Sequence, residues 1–125
     1  MFINFTNHPS ASWSIEQLTA AQQFGELIDL PFPTVEPEAS EEEIQQMAEE
    51  QCKKIKTLAD TTKSNKESEQ FVVHIMGEMT LTYAIVCRMK KEGIICVAST
   101  TRREVSTLPD GSKVSTFRFV KFRKY

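Results

Sequence analysis

No stretch of this chain approaches the roughly 20 consecutive apolar residues of a membrane span. Its opening residues, Met1-Phe2-Ile3-Asn4-Phe5, lack the basic region and long apolar core of a signal peptide. Both absences predict a cytoplasmic protein with no membrane partner. A basic surplus is missing too: the net charge is −2, against the pattern of a general nucleic-acid or duplex-DNA binder. Cysteine is sparse and unpatterned. Cys52, Cys87 and Cys96 form an odd set with no CxxC spacing, which suits reduced thiols. With His8 and His74 the only histidines, a nucleophilic cysteine has few possible bases. No group of about four ligands stands at zinc spacing, so neither metal nor cofactor is expected. The GxGxxG and GxxxxGK[ST] signatures are absent, and with them the usual marks of dinucleotide and nucleoside-triphosphate binding.

What remains is an ordinary globular balance, 40% hydrophobic and 26% charged over 125 residues. That length fits one domain burying roughly two-thirds of its unfolded surface. Phe2 to Thr6 (FINFT) reads as a short strand closed by Asn7-His8-Pro9-Ser10, a turn cluster. Ser14 with Gln17 three residues on is a capping-box pattern, opening a helix through Ile15, Leu18, Ala21 and Phe24 that Gly25 ends. Glu26 to Leu30 reads as a second strand, and Pro31 and Pro33 place it at a sheet edge. Ser40 and Glu43 form a second capping box before a longer helix carrying Ile44, Met47, Ala48, Ile55 and Leu58. Asp60 to Gln70 is wholly polar and reads as a solvated loop.

Phe71 to Met76 (FVVHIM) has the near-continuous apolar character of a central strand. Gly77-Glu78-Met79-Thr80 turns into a third helix that stops at Gly93, and Ile94 to Ala98 forms a further strand ending at Ser99-Thr100-Thr101-Arg102-Arg103. Glu104 to Leu108 and Lys113 to Phe122 flank Pro109-Asp110-Gly111-Ser112, a hairpin signal. The expected fold is therefore α/β, a Rossmann-like doubly wound sheet in the order βαβαβαβ followed by a C-terminal β-hairpin, over residues 1–125. The preferred strand order is 2-1-3-4 with the hairpin beside strand four.

Open α/β sheets bind ligands beyond the carboxyl ends of their strands. Three segments meet there on this reading: Asn7-His8-Pro9-Ser10, Gly77-Glu78-Met79-Thr80 and Ser99-Thr100-Thr101-Arg102-Arg103. Hydroxyls and guanidinium groups suit phosphate oxygens, although a polar turn with solvated arginines has the same residues. His8 is a candidate base, proton shuttle or nucleobase-stacking partner, against a histidine that merely bonds its own turn. Glu78 either caps the third helix or acts on a ligand, and Gly77 permits a tight turn or a close approach. His74, inside an apolar strand, reads as a packing histidine. Trp13 reads first as a staple between loop and helix and second as a platform for adenine. The tail from Phe117 to Tyr125 alternates aromatic and basic residues, as a single-stranded nucleic-acid platform does, but reads first as an edge strand or dimer contact whose alternation slips between Phe119 and Phe122.

The segments Phe5-Thr6-Asn7-His8-Pro9-Ser10, Met76-Gly77-Glu78-Met79-Thr80 and Ala98-Ser99-Thr100-Thr101-Arg102, with the closing hairpin, resemble the CRISPR-associated Rossmann-fold (CARF) superfamily, particularly its compact ring-nuclease-like members. The resemblance implies a homodimer whose strand-end surfaces form one pocket for a cyclic oligoadenylate of type III CRISPR antiviral signalling. It further implies metal-independent cleavage, in which a ribose 2′-hydroxyl attacks its neighbouring phosphate and leaves a 2′,3′-cyclic phosphate. Carried over by position, His8, Glu78 and Arg102 would be catalytic. Asn7, Ser10, Gly77, Thr80, Ser99, Thr100, Thr101 and Arg103 would bind the ligand. The alternatives are a non-catalytic sensor of the same messenger and a regulatory dimer subunit.

Overall fold

The computed structural model describes residues 1–62 and 70–125. In chain order the elements are β1 (Phe2–Thr6), α1 (Ile15–Gln22), β2 (Leu27–Asp29), α2 (Glu41–Thr61), β3 (Val72–Met76), α3 (Met79–Lys91), β4 (Ile95–Thr107) and β5 (Lys113–Lys124), with a 3-10 turn at Ser10–Ser12. The five strands form one mixed sheet in the order β2-β1-β3-β4-β5. The first four run parallel, and β5 returns antiparallel to β4.

Side-chain alternation along the central strands sorts the core into two layers. Ile3, Phe5, Val73 and Ile75 pack with Ile44, Ala48 and Ile55 of α2 and Leu81, Ile85 and Met89 of α3. Phe2, Val72 and Val97 turn the other way, onto Ala21 of α1 and onto Trp13, Phe24 and Phe122. The sheet is therefore covered by α2 and α3 on one face and by α1 on the other. Helix starts follow the expected chemistry. Ser14 Oγ accepts from the Gln17 amide at 3.2 Å, and Ser40 with Glu43 forms a reciprocal capping box.

Two expectations need correction. Asp60 and Thr61 belong to α2 rather than to the polar loop expected over Asp60–Gln70, whose residues 63–69 lie outside the described residues. More consequentially, Ser99 to Arg103 is not a strand-end turn, because β4 runs unbroken from Ile95 to Thr107. β3 pairs with β4 only through Val97, and beyond that point β5 alone supplies the ladder. Both faces of the resulting ribbon see solvent, and β4 is mostly polar along it, from Ser99 to Thr107. The register shifts between Thr100, opposite Lys121, and Thr101, opposite Phe119. That shift leaves Val120 without a partner, as a β-bulge does.

Gly77 follows β3, and its lack of a side chain has a packing cause. A Cβ there would stand 2.6 Å from three ring atoms of Phe32, itself buried and tilted against Phe5 at 5.0 Å. Gly77→Ala is expected to lower stability by about 1–3 kcal/mol through overpacking, seen as a fall in the urea midpoint. An unchanged midpoint would contradict this packing role for the glycine.

Candidate functional site

β1 carries one fully polar amide through the core. Asn4 is 1% exposed, and a buried amide requires partners. Its Nδ2 donates to the His8 carbonyl at 2.9 Å and to Asp29 Oδ1 at 2.7 Å. Its Oδ1 accepts from Thr6 Oγ1 at 2.9 Å and lies 3.2 Å from His74 Nδ1. The chain after β1 is tied down further. The His8 amide donates to Thr6 Oγ1 at 3.1 Å, and the Trp13 indole N–H donates to the His8 carbonyl at 3.1 Å. The Ser10 hydroxyl and amide both donate to Asp29.

These bonds frame a recess of about 710 Å³ on the α1 side of the strand ends. Asn7 and His8 come to it from the end of β1, Gly77 from the end of β3, and Ser99 and Thr101 from β4. Trp13, His74, Phe117 and Phe119 complete its aromatic and apolar walls. Asn7, His8, Gly77, Ser99 and Thr101, all singled out in the sequence, are thus brought together.

The other expected site residues are engaged elsewhere. Both Glu78 carboxylate oxygens cap α3, accepting from the Leu81 amide at 2.8 Å, the Thr80 amide at 3.1 Å and the Thr80 hydroxyl at 2.7 Å. The Leu81 amide bond, followed by the Thr80 contacts, holds the Glu78 carboxyl below its ordinary range, and both of its oxygens are taken up by the cap. Thr80 is spent on that cap, and Ser10 on Asp29. Thr100 donates its hydroxyl to the Lys121 carbonyl at 3.1 Å. Arg102 pairs with Arg118 along the ribbon, and Arg103 donates to Ser115 Oγ at 2.9 and 3.2 Å. Neither arginine lines the recess. Both lie beyond the point where β4 leaves the sheet, which is why a turn-based expectation misplaces them.

Three participants carry no clear mark in the sequence: Asn4, Asp29 and the second character of His74. The signal for Asn4 and His74 was a polar residue in the middle of each of two buried strands. His74 is 2% exposed and ringed by Phe122, Trp13 and Phe2 at centroid distances of 5.1, 5.6 and 6.0 Å. Burial, reinforced by the nearby His8, lowers its pKa from 6.5 to about 4. The folded protein therefore binds fewer protons than the unfolded chain between these values. Stability from this group is complete above about pH 6.5 and is lost as pH falls toward 4, by up to about 3 kcal/mol. Urea titrations at neutral pH and near pH 4.5 should show a larger loss for the parent than for His74→Gln. Equal losses would contradict the neutral, desolvated imidazole.

Among the described residues no helix is long and apolar enough to cross a membrane. A model of the Uncharacterized protein MJ1673 family matches residues 1–123. No curated protein and no solved structure matches the chain.

Proposed function

We propose that the chain, which belongs to the Uncharacterized protein MJ1673 family, binds a cyclic oligoadenylate in its strand-end recess and opens the ring without a metal, by attack of a ribose 2′-hydroxyl on the adjacent phosphate. The observation that carries this reading is the convergence of His8, Trp13, Gly77, Ser99 and Thr101 on one recess. An indole wall offers adenine a stacking surface. The Thr101 hydroxyl offers a donor for phosphate and ribose oxygens, and the Ser99 hydroxyl, held 3.1 Å from the weak acceptor Met76 Sδ, can exchange that bond for one to the ligand. In-line attack by a 2′-hydroxyl draws its rate from orientation and proton handling rather than from a strong nucleophile. With the Glu78 carboxylate committed to α3, His8 is the exposed group left to carry a proton. A Rossmann-like, doubly wound description of the fold agrees with helices on both faces and with a recess where β1 separates β2 from β3, the kind of switch point that favours ligands.

A homodimer belongs to the same reading. No lysine or arginine is among the described residues lining the recess, so one copy brings little positive charge to a phosphate. The β4–β5 ribbon projects beyond the sheet with Arg102, Arg103 and exposed Val105, Phe117 and Val120. An isolated two-stranded ribbon is marginal in water, and a second copy would supply both apolar cover and cations. The same shortage of charge, with Glu78 held as a cap, favours the alternative of a sensor that binds the messenger without turnover.

Incubation with cyclic tetra- and hexa-adenylate in EDTA, followed by chromatography, separates the two. Ring opening to linear products ending in a 2′,3′-cyclic phosphate is expected, slowed about 10²–10⁴-fold in His8→Ala. A raised melting temperature with an intact ring would replace the nuclease by the sensor. Neither cleavage nor a shift would remove oligoadenylate as the ligand.

A further inference from the structure

His74 carries an acceptor that the fold leaves unused. Its tautomer follows from the bonds around Asn4. The Asn4 atom that faces both the His8 carbonyl and the Asp29 carboxylate meets only acceptors, so it is the NH₂ group. The other amide atom is then the oxygen, and a bond to it from His74 Nδ1 at 3.2 Å requires the proton on Nδ1. A neutral imidazole protonated at Nδ1 has a bare lone pair at Nε2. That nitrogen is buried and has no hydrogen-bond partner among the described residues. His74 lines the recess all the same, with the Trp13 ring edge-on to it at 5.6 Å. Trp13 does not satisfy it, because its N–H is given to the His8 carbonyl.

Resting on the oligoadenylate reading of this recess, we propose that His74 Nε2 is the base that takes the proton of the attacking ribose 2′-hydroxyl once the ligand displaces Trp13. The 2′-oxygen forms its bond to phosphorus as its proton passes to Nε2. The bond from phosphorus to the 5′-oxygen breaks, and that oxygen takes the proton carried by His8. The two histidines then reset by exchanging protons with water. The charge gained by His74 is met through Nδ1–H, the Asn4 amide and the Asp29 carboxylate, a relay whose links are 3.2 and 2.7 Å. His8 is the titratable group that acts on His74 from the loop after β1. Asp29 stands at the far end of the relay, and Phe2, Trp13 and Phe122 make the rest of the surround apolar.

Nitrogen-15 spectra of the ligand-free protein at neutral pH test the tautomer directly, with a protonated Nδ1 and a bare Nε2 expected. A proton on Nε2 would overturn the proposal. With cyclic tetra- and hexa-adenylate as probes, His74→Gln should cleave about 100-fold or more slowly than the parent while keeping the ligand-induced rise in melting temperature. Parent-like cleavage by a folded His74→Gln would also overturn it. Should that variant not fold, the parent decides through its pH–rate profile. An acid limb falling through about pH 4, where His74 gains its proton, is expected, and a flat profile there would end the base role. A parent protein that leaves both rings intact removes the nuclease reading and the base role together, while the tautomer still stands or falls on the spectrum.

Discussion

A single buried amide organises the functional end of this molecule. Asn4 sits in a strand buried along its whole length, and leaving its polar atoms unpaired there would cost about 1–3 kcal/mol each. Satisfying them ties four places together: Thr6 on its own strand, the His8 carbonyl in the loop beyond, Asp29 on β2 and His74 on β3. Any conformation of the loop after β1 that withdraws the His8 carbonyl leaves an amide hydrogen stranded in the core. The same constraint places Ser10 on Asp29 and Trp13 against His8, so the wall of the recess follows from the chemistry of its floor.

The sheet divides labour around that point. Below it, apolar alternation binds α2 and α3 to one face and α1 to the other. Beyond Val97 the chain abandons the parallel sheet, and β4 continues with β5 as a ribbon exposed on both sides. Ser99 and Thr101 reach the recess from the root of that ribbon, whereas Arg102 and Arg103 ride outward on it. Neutral hydrogen-bonding chemistry is therefore concentrated in the recess, and the positive charge of Arg102 and Arg103 lies on the projecting arm.

Much of the architecture was legible because its causes are local. Ser14 with Gln17 and Ser40 with Glu43 mark helix starts within three residues, and FVVHIM announces a strand covered on both faces. Asn7, His8 and Gly77 were legible as strand-end residues for the same reason. The polar run Ser99 to Arg103 was not, since hydrophobic patterning reports burial, and a strand that faces water on both sides loses its period-two signal. The floor of the site was illegible for another reason. Asn4 finds Asp29 25 residues away and His74 70 residues away, and nothing near any of the three announces its partner. Glu78 shows the converse: a residue with a plausible catalytic role turned out to serve the amide hydrogens immediately after it.

The dependence of the recess on Asn4 is open to direct measurement by residue-resolved amide hydrogen exchange in Asn4→Ala. If the buried amide holds the floor, exchange at His8, Ser10 and Trp13 accelerates markedly, while Val73 and Ile75 in the neighbouring strand stay protected. Unchanged protection at His8, Ser10 and Trp13 in the folded variant would show that something other than Asn4 holds the recess together.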